Sequence, residues 1–389
     1  METKIDPFVH HLLINGAINT DKEIKGQPEL WLKVYSQIIN IQKNLAFFLN
    51  NIYRKQNLQI ILTGAGTSAY IGEVLEGPFQ NRTGISTRAI SSTDLVTHPE
   101  LYIKKSDPTL LVSFARSGDS PESTKVIELV EKISQEVYHL VITCNPKSNL
   151  IDSINDKKHF TILMPPEAND KSLAMTGSFT SMLLVGLLIT RINFLSNAED
   201  QIVYMSKYGK KILSEYAEDL KIIAKKKFSR AVFLGSGLLK GIAQEAHLKL
   251  QELTDGKVIC QYDSFLGFRH GPKVVLNNET LIMYIFSNND YVKKYEQDLV
   301  LSVKNSQRVM FAIGVAEHKI LGVDLDLEIL LSEDLKIVDE DLYSVVSILP
   351  AQLLGYYKSI NLGLKPDSPS ESEIITRVVK GVKLYTYNK

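Results

Sequence analysis

The sequence has few cysteines and no excess of charge of either sign, and each shortage excludes a class of protein. Cys144 and Cys260 are the two cysteines in 389 residues, which indicates a reducing compartment, the cytoplasm, and no disulfide framework. Lysine plus arginine and aspartate plus glutamate each total 44, so we expect neither nucleic acid nor an anionic membrane as a partner. The longest apolar run, 181–190, is too short to span a bilayer, and the acidic, proline-containing N-terminus does not resemble a signal peptide.

The chain contains an internal repeat at a constant offset. The motif Ile-Leu-Thr-Gly-Ala-Gly at 61–66 is matched by Val-Phe-Leu-Gly-Ser-Gly at 232–237, and 235 − 64 = 171. The same offset relates the apolar run at 109–112 to that at 280–283. Matched segments at one spacing, in a chain long enough for two or three domains, predict two copies of one fold.

Each copy alternates short apolar runs with segments of helical length. The runs have the length and β-branched content of buried parallel strands, and we predict them at 58–63, 85–90, 109–114, 137–143 and 159–164, then near 231–234, 257–262, 280–286, 308–314 and 326–331. This alternation predicts an α/β protein with two tandem doubly wound, flavodoxin-like parallel sheets, whose ligands bind at the carboxyl ends of the strands.

The expected domain organisation follows from the repeat. A helical segment over 1–50 precedes a first α/β domain over 51–197. A second α/β domain covers 198–365, and a polar tail covers 366–389.

The loop after the first predicted strand has the composition of an anion-binding turn. Gly66, Thr67 and Ser68 stand at the start of a helix, where backbone N–H groups and hydroxyls can face an anion. The alternative is a dinucleotide site in a dehydrogenase. That site needs an acidic residue at the end of the next strand to hold a ribose, and none precedes Asp94 there, so this alternative is the weaker one.

The loop after the third predicted strand repeats this chemistry. Arg116, Ser117 and Ser120 precede Pro121, and Ser-Pro-Glu begins a helix. One such loop would be explained by helix capping alone. Two loops at neighbouring strand ends of one sheet favour a phosphate-binding site.

Two further groups in the second copy could carry acid–base chemistry. Glu245, Lys249 and Glu252 are spaced four and three apart, which places them on one helical face, either as a solvated ion-pair ladder or as a functional group. His270 lies in Arg-His-Gly-Pro, a turn that can project the ring for acid–base work, although an exposed turn histidine often has no role. The remaining histidines lack metal-ligand spacing, so we expect no metal and no cofactor.

The glycine-threonine-serine loop and the Ser-Gly-Asp-Ser loop at 117–120 together resemble the sugar isomerase (SIS) domain family, over nearly the whole chain from about residue 45. The stretch Phe-Ala-Arg-Ser-Gly-Asp-Ser-Pro-Glu-Ser at 114–123 is typical of the tagatose-6-phosphate ketose/aldose isomerase and galactosamine-6-phosphate deaminase/isomerase branch. The chain is also similar to the isomerase half of glucosamine-6-phosphate synthase.

The resemblance implies a role for each candidate residue. It places the sugar phosphate on the two loops, with the binding set Gly66, Thr67, Ser68, Ser117 and Ser120, and Arg116 as the candidate for a donor that Ala115 cannot supply. It implies that Glu252 moves the proton between C1 and C2, beside Lys249 and Glu245. It implies that His270 opens the sugar ring in the neighbouring subunit's site, which requires a homodimer or a higher homo-oligomer with shared active sites.

Departures from the synthase pattern indicate catabolism. Arg377 stands where the synthase has a Schiff-base lysine in its C-terminal tail, and an arginine stays protonated and cannot form that imine. No glutaminase domain is recognised either. We therefore expect a ketose/aldose isomerase or an amino-sugar-phosphate deaminase acting on tagatose 6-phosphate or galactosamine 6-phosphate, with the tail completing the active site. The alternative is a non-catalytic, sugar-phosphate-binding regulator, but such proteins carry a helix-turn-helix domain and one SIS unit.

Overall fold

The computed structural model describes residues 7–154, 158–306, 309–333, 338–379 and 381–387. Within them, two five-stranded parallel sheets are flanked by helices, which confirms the predicted α/β fold with two copies of one sheet. The helices are α1 (Pro7–Ile14), α2 (Ile18–Lys25), α3 (Gln27–Tyr53), α4 (Thr67–Thr83), α5 (Ser92–Thr97), α6 (Pro121–Ile133), α7 (Asn149–Asp152), α8 (Gly177–Ile189), α9 (Glu199–Lys211), α10 (Ala217–Ala224), α11 (Leu238–Leu253), α12 (Phe265–Phe268), α13 (Asp290–Ser306), α14 (Glu340–Ser347) and α15 (Leu349–Asn361).

The first sheet has the strand order β2-β1-β3-β4-β5, with every neighbouring pair parallel. Its strands are β1 (Gln59–Thr63), β2 (Ser86–Ala89), β3 (Thr109–Ala115), β4 (Val137–Thr143) and β5 (His159–Leu163). All seven residues of β3 are buried, as expected for a central parallel strand covered on both faces. Each predicted strand of the first copy is present within one or two residues of its expected bounds.

The second sheet repeats this topology in the order β10-β9-β8-β6-β7. Its strands are β6 (Arg230–Gly235), β7 (Ile259–Asp263), β8 (Thr280–Ile285), β9 (Phe311–Ala316) and β10 (Leu327–Leu330). The strand predicted near 308–314 is β9, which begins three residues later and ends two residues later, and its predicted first residue is outside the described residues. When the strands of each copy are numbered from one, both sheets have the order 2-1-3-4-5 from one edge. The repeat in the sequence is therefore a repeat of sheet topology.

Two glycines show how closely the copies correspond. Gly66 and Gly237 precede α4 and α11, and they have φ/ψ of 55°/−130° and 56°/−128°. Only a residue without a β-carbon adopts this conformation readily, so each strand turns directly into its helix at a glycine.

The chain divides into two compact units that interleave along the sequence. The first unit contains the first sheet and comprises Glu29–Asn169, Gly177–Ile202 and Thr376–Lys389. The second unit contains the second sheet and comprises Met1–Pro28, Asp170–Thr176 and Val203–Ile375.

Long-range polar contacts join distant segments within each unit. In the first unit, the indole Nε1 of Trp31 on α3 donates to Thr180 Oγ1 on α8 at 3.0 Å, and both residues are fully buried. In the second unit, the carboxylate of Asp367 accepts the backbone N–H groups of Asn19 and Thr20 at the start of α2, at 3.1 and 2.8 Å. These bonds connect segments that are more than 140 residues apart in sequence.

No single helix among the described residues is both long and apolar enough to cross a membrane. One pair of helical segments, Gly177–Ile189 and Ile192–Ala224, meets the criterion together by length and composition, but the pair is bent by 115°.

Candidate active site

The loop after β1 brings two hydroxyl residues to the beginning of α4. Thr67 and Ser68 are the first two residues of the helix, and both are almost fully buried. A β-carbon at Gly64 would lie 2.6 Å from the backbone of Ser68, so the turn can be this tight only with glycine. The turn therefore places two hydroxyl residues and the N-terminus of α4 at this edge of the sheet, an arrangement whose chemistry suits an anion.

The loop after β3 presents the second set of polar residues. Arg116 is buried, with 7% of its surface exposed, and Ser117 beside it is half-buried. Ser120 occupies the N-cap position of α6 and Pro121 the first helical position, as predicted. The Ser120 hydroxyl does not cap a backbone N–H but bonds the Ser123 hydroxyl at 2.6 Å.

The two loops lie at the same edge of the first sheet. Strands β1 and β3 are parallel neighbours, and Thr63 at the end of β1 is paired with Ser113 in β3. The sheet order reverses between these two strands, because β2 lies on the other side of β1. This switch point is where open α/β sheets bind ligands, because the loops there diverge to opposite faces.

A third loop, after β4, supports the second one. Asn145 Nδ2 donates to the backbone oxygen of Ser117 at 2.8 Å, and the Asn149 backbone N–H donates to Asp119 Oδ1 at 3.1 Å. The backbone N–H of Asp119 in turn donates to Ser117 Oγ at 3.3 Å. The sequence reasoning missed Asn145, although it is a polar residue just after a neighbouring strand, which was the available signal.

Arg377 reaches the same sheet edge from the C-terminus. Its backbone oxygen accepts a hydrogen bond from Arg116 Nη2 at 2.8 Å. Its own Nη2 donates at 2.7 Å to Asn169 Oδ1, which follows β5. The first unit therefore brings Arg377 to the edge of the sheet where the two loops lie. Arg116 and Arg377 are 261 residues apart in sequence.

In the second unit, α11 carries the predicted row of charged residues on one face. Lys249 Nζ lies 2.6 Å from Glu252 Oε2 and 3.3 Å from Glu245 Oε1. The side chains of Glu245 and Lys249 are buried, whereas that of Glu252 is 23% exposed. A solvated ladder would leave all three exposed. The burial instead leaves Glu252 as the member whose carboxylate a ligand can reach.

Lys249 is held in its charged form. Burial alone would lower the pKa of its ammonium, but the charges of Glu245 and Glu252 act in the opposite direction and the net effect is a raised pKa. The ammonium therefore remains protonated throughout the neutral range and fixes the Glu252 carboxylate by a charge-assisted hydrogen bond.

The two histidines in this region differ in their surroundings. His247, on another face of α11, lies 4.8 Å from the ring of Tyr262 between ring centres, and burial lowers the pKa of its imidazole. His270 lies just after α12, in an exposed turn that Gly271 continues with φ 119°.

The second copy shows what its two equivalent loops bind. Ser236 and Ser287 stand 171 residues after Ala65 and Arg116, and both bond the buried carboxylate of Glu296. The backbone N–H of Ser287 donates to Glu296 Oε2 at 3.0 Å. In the second copy, the loops after the first and third strands therefore converge on a carboxyl group that the protein itself supplies.

Burial raises the pKa of Glu296 to about 7, and the nearby charge of Glu340 adds to this effect. The Ser236 and Ser287 donors favour the ionised form but do not outweigh burial. Among the residues that the structure describes, no group of histidine, cysteine, aspartate and glutamate side chains is arranged to hold a metal ion.

Comparison with known proteins identifies the family. The SIS domain model matches residues 52–191. The chain is 39% identical to the D-galactosamine-6-phosphate deaminase AgaS of Shewanella sp. (strain ANA-3) over 403 residues, which cover 100% of both proteins. It is 34% identical to the crystal structure of tagatose-6-phosphate ketose/aldose isomerase from Escherichia coli, with a TM-score of 0.86 over 95% of this chain and 97% of that one. The C-terminal domain of glucosamine-fructose-6-phosphate aminotransferase from Francisella tularensis shares the fold, with 18% identity, a TM-score of 0.73 and coverage of 90% and 98%. The chain is an enzyme that belongs to the SIS-domain family, in the branch that contains the AgaS deaminases and the tagatose-6-phosphate ketose/aldose isomerases.

Proposed function

We propose that this enzyme is a galactosamine-6-phosphate deaminase that converts the amino sugar to tagatose 6-phosphate and ammonia. The observation that carries the proposal is the similarity to an AgaS deaminase over the full length of both proteins. It agrees with α11, where the buried ammonium of Lys249 contacts the carboxylates of Glu245 and Glu252. In reaction terms, the enzyme is an amino-sugar-phosphate deaminase that acts through an aldose–ketose isomerisation.

The phosphate is bound by the loops after β1 and β3. Thr67, Ser68, Ser117 and Ser120 supply hydroxyl donors, and α4 and α6 supply the positive ends of two helix dipoles. Support comes from the second copy, where the equivalent loops hold the Glu296 carboxylate. A carboxylate and a phosphate accept hydrogen bonds from the same kinds of donor, so the two loops of this fold are suited to an anion.

The proton transfer is assigned to Glu252. With the ring open, the carboxylate removes the proton from C2 and delivers it to C1, which converts the aldehyde and amine of the sugar to an enolamine and then to an imine at C2. Water adds to the imine, and the C2–N bond breaks to release ammonia and leave the ketose. Lys249 holds the carboxylate oxygen at 2.6 Å and stays charged while the base gains and loses its proton.

Ring opening is assigned to His270 of a neighbouring subunit, which makes a homodimer the smallest working unit. His270 is exposed, and the residues around it include two exposed apolar side chains, Leu266 at 47% and Val274 at 88%. Apolar surface next to a functional side chain favours contact with a second protein copy. In a two-fold symmetric dimer, each subunit then contributes its His270 to the site of the other subunit.

A second substrate follows from the same chemistry. A 2-hydroxy sugar phosphate passes through an enediol instead of an enolamine and gives the ketose without loss of ammonia. The similarity to the Escherichia coli tagatose-6-phosphate ketose/aldose isomerase favours this as the second candidate activity. Because the proton shuttle is common to both substrates, the C2 substituent alone separates the two activities.

The free thiols of Cys144 and Cys260 support a reducing compartment, so we assign the enzyme to the cytoplasm. There it would act in the breakdown of sugar phosphates.

The test is a coupled assay of ammonia and ketose with the purified protein and galactosamine 6-phosphate. Unphosphorylated galactosamine tests the phosphate site, and glucosamine 6-phosphate tests the configuration at C4. We expect equal amounts of ammonia and ketose, and a loss of about 10²- to 10⁴-fold in turnover for Glu252→Gln with KM nearly unchanged. If galactosamine 6-phosphate yields neither product while tagatose 6-phosphate is isomerised, the second candidate replaces the first.

A further inference from the structure

The C-terminal tail, defined as residues 376–379 and 381–387, contains no helix or strand and belongs to the first unit. Near its start it is held by two arginines. Arg116 Nη2 donates to the Arg377 backbone oxygen at 2.8 Å, and Arg377 Nη2 donates to Asn169 Oδ1 at 2.7 Å. These bonds attach the beginning of the tail to the loops that follow β3 and β5.

The other end of the tail is held away from those loops, on α6 and the turn before β3. Lys132 Nζ donates to the Tyr387 backbone oxygen at 2.6 Å, and the ammonium also lies 5.5 Å from the centre of the Tyr387 ring. The Tyr387 hydroxyl donates to Glu100 Oε1. The tail is therefore fastened at two points.

Arg116 is suited to hold the tail beside the loop after β3. Its guanidinium is buried, so its donors need acceptors, and the Arg377 carbonyl is one of these acceptors. A planar guanidinium directs its donors along fixed lines, unlike the point charge of a lysine. Arg116 also directly precedes Ser117, whose hydroxyl belongs to the loop assigned to phosphate.

We propose that Arg116 is a positioning residue that fastens the C-terminal tail to the loop after β3 and thereby holds Arg377 at the carboxyl edge of the first sheet. Detachment of the tail removes an acceptor from Arg116 and withdraws Arg377 from this edge. Attachment of the tail and affinity for a sugar phosphate therefore rise and fall together. The part that concerns sugar phosphate rests on the proposed function; the attachment itself does not.

The first test measures attachment without substrate. A nitroxide is placed at Val379→Cys, an exposed position two residues after Arg377, in a Cys260→Ser background, since Cys144 is buried. We expect the spectrum of an immobilised label, and a mobile one when Arg116→Met is added. Arg88→Met, an arginine that stacks on Tyr102 in the same unit, is the matched control and should leave the label immobile.

An equally immobile label with and without Arg116→Met would overturn the proposal, whatever the enzyme's activity. A mobile label in the protein that still contains Arg116 would overturn the proposal as well.

The second test is a double-mutant cycle in KM for galactosamine 6-phosphate. Tyr387→Phe removes the hydroxyl bond to Glu100, and Tyr385→Phe, two residues earlier on an exposed ring, is its control. We expect Tyr387→Phe to raise KM by about two- to tenfold, the fold-change for one lost hydrogen bond, and Tyr385→Phe to leave it unchanged.

Because both changes act on KM through the position of the same tail, adding Tyr387→Phe to Arg116→Met should raise KM little further. Multiplicative effects would show that Arg116 acts on the ligand independently of the tail, which overturns the proposal. If no sugar phosphate is turned over at all, the proposed function fails, while the label experiment still decides the attachment.

Discussion

Replacement of Glu296 by glutamine should stabilise the protein at alkaline pH. Glu296 is buried in the second unit, where Ser236 and Ser287 donate to it, and burial raises the pKa of its carboxyl from 4.5 to about 7. A carboxyl with a raised pKa is protonated more readily in the folded state than in the unfolded state. Folding therefore becomes less favourable as the pH rises from about 4.5 to about 7, and the loss is complete above that range.

The magnitude follows from the pKa difference. One pKa unit corresponds to about 1.4 kcal/mol, so the step from 4.5 to about 7 is worth about 3 kcal/mol at pH 8. Glutamine keeps an oxygen acceptor for the Ser287 N–H and has no proton to lose. Relative to the wild-type protein, Glu296→Gln should therefore gain about 2 to 3 kcal/mol of unfolding free energy between about pH 5 and about pH 8.

The assay is urea unfolding followed by circular dichroism at both pH values. Glu218→Gln is the control, because Glu218 is 69% exposed in an ion pair with Lys221 and should change stability by less than about 1 kcal/mol at either pH. Equal pH dependence of unfolding in Glu296→Gln and wild type would refute the reasoning, because it would mean that Glu296 titrates alike in the folded and unfolded states.

Three further predictions concern the site and the fold. Ser117→Ala should raise KM and leave kcat nearly unchanged, since the phosphate is remote from the reacting carbons, and inorganic phosphate should inhibit the variant less than wild type; an unchanged KM and unchanged inhibition would remove Ser117 from the phosphate site. Glu252→Gln and His270→Ala, each inactive, should recover about a quarter of wild-type activity when refolded together, because half of the dimers are mixed and each mixed dimer has one intact site; no recovery in proven heterodimers would place His270 in its own subunit's site. Asp367→Ala should lower the unfolding free energy by about 2 kcal/mol through loss of the bonds to Asn19 and Thr20, as measured by thermal unfolding, and an unchanged Tm would contradict this.

The fold was predictable because its signals are local. Each buried strand is a short apolar run between turn residues, and the constant offset of 171 residues revealed that the pattern occurs twice. The row of Glu245, Lys249 and Glu252 was predictable for the same reason, because helical spacing alone places these residues on one face.

Contacts between distant segments were not predictable in this way. Arg116 and Arg377 are 261 residues apart, and nothing in either local sequence indicates that one side chain donates to the other's backbone. Asp367 binds the start of α2 across 347 residues by hydrogen bonds that any acidic side chain could make. The difference in exposure between the buried Lys249 and the partly exposed Glu252 is also a property of the packed fold, and helical periodicity alone does not predict it.

The central claim is that Glu252 carries a proton from C2 to C1 before the C–N bond breaks, and galactosamine 6-phosphate labelled with deuterium at C2 tests it most directly. The account predicts slower turnover than with the unlabelled sugar, loss of all deuterium from C2, and deuterium at C1 of part of the tagatose 6-phosphate, with the rest exchanged into water. Release of ammonia with the deuterium retained at C2 of an aldose product would contradict the account, because water would then have displaced the amine directly and no base would have acted at C2.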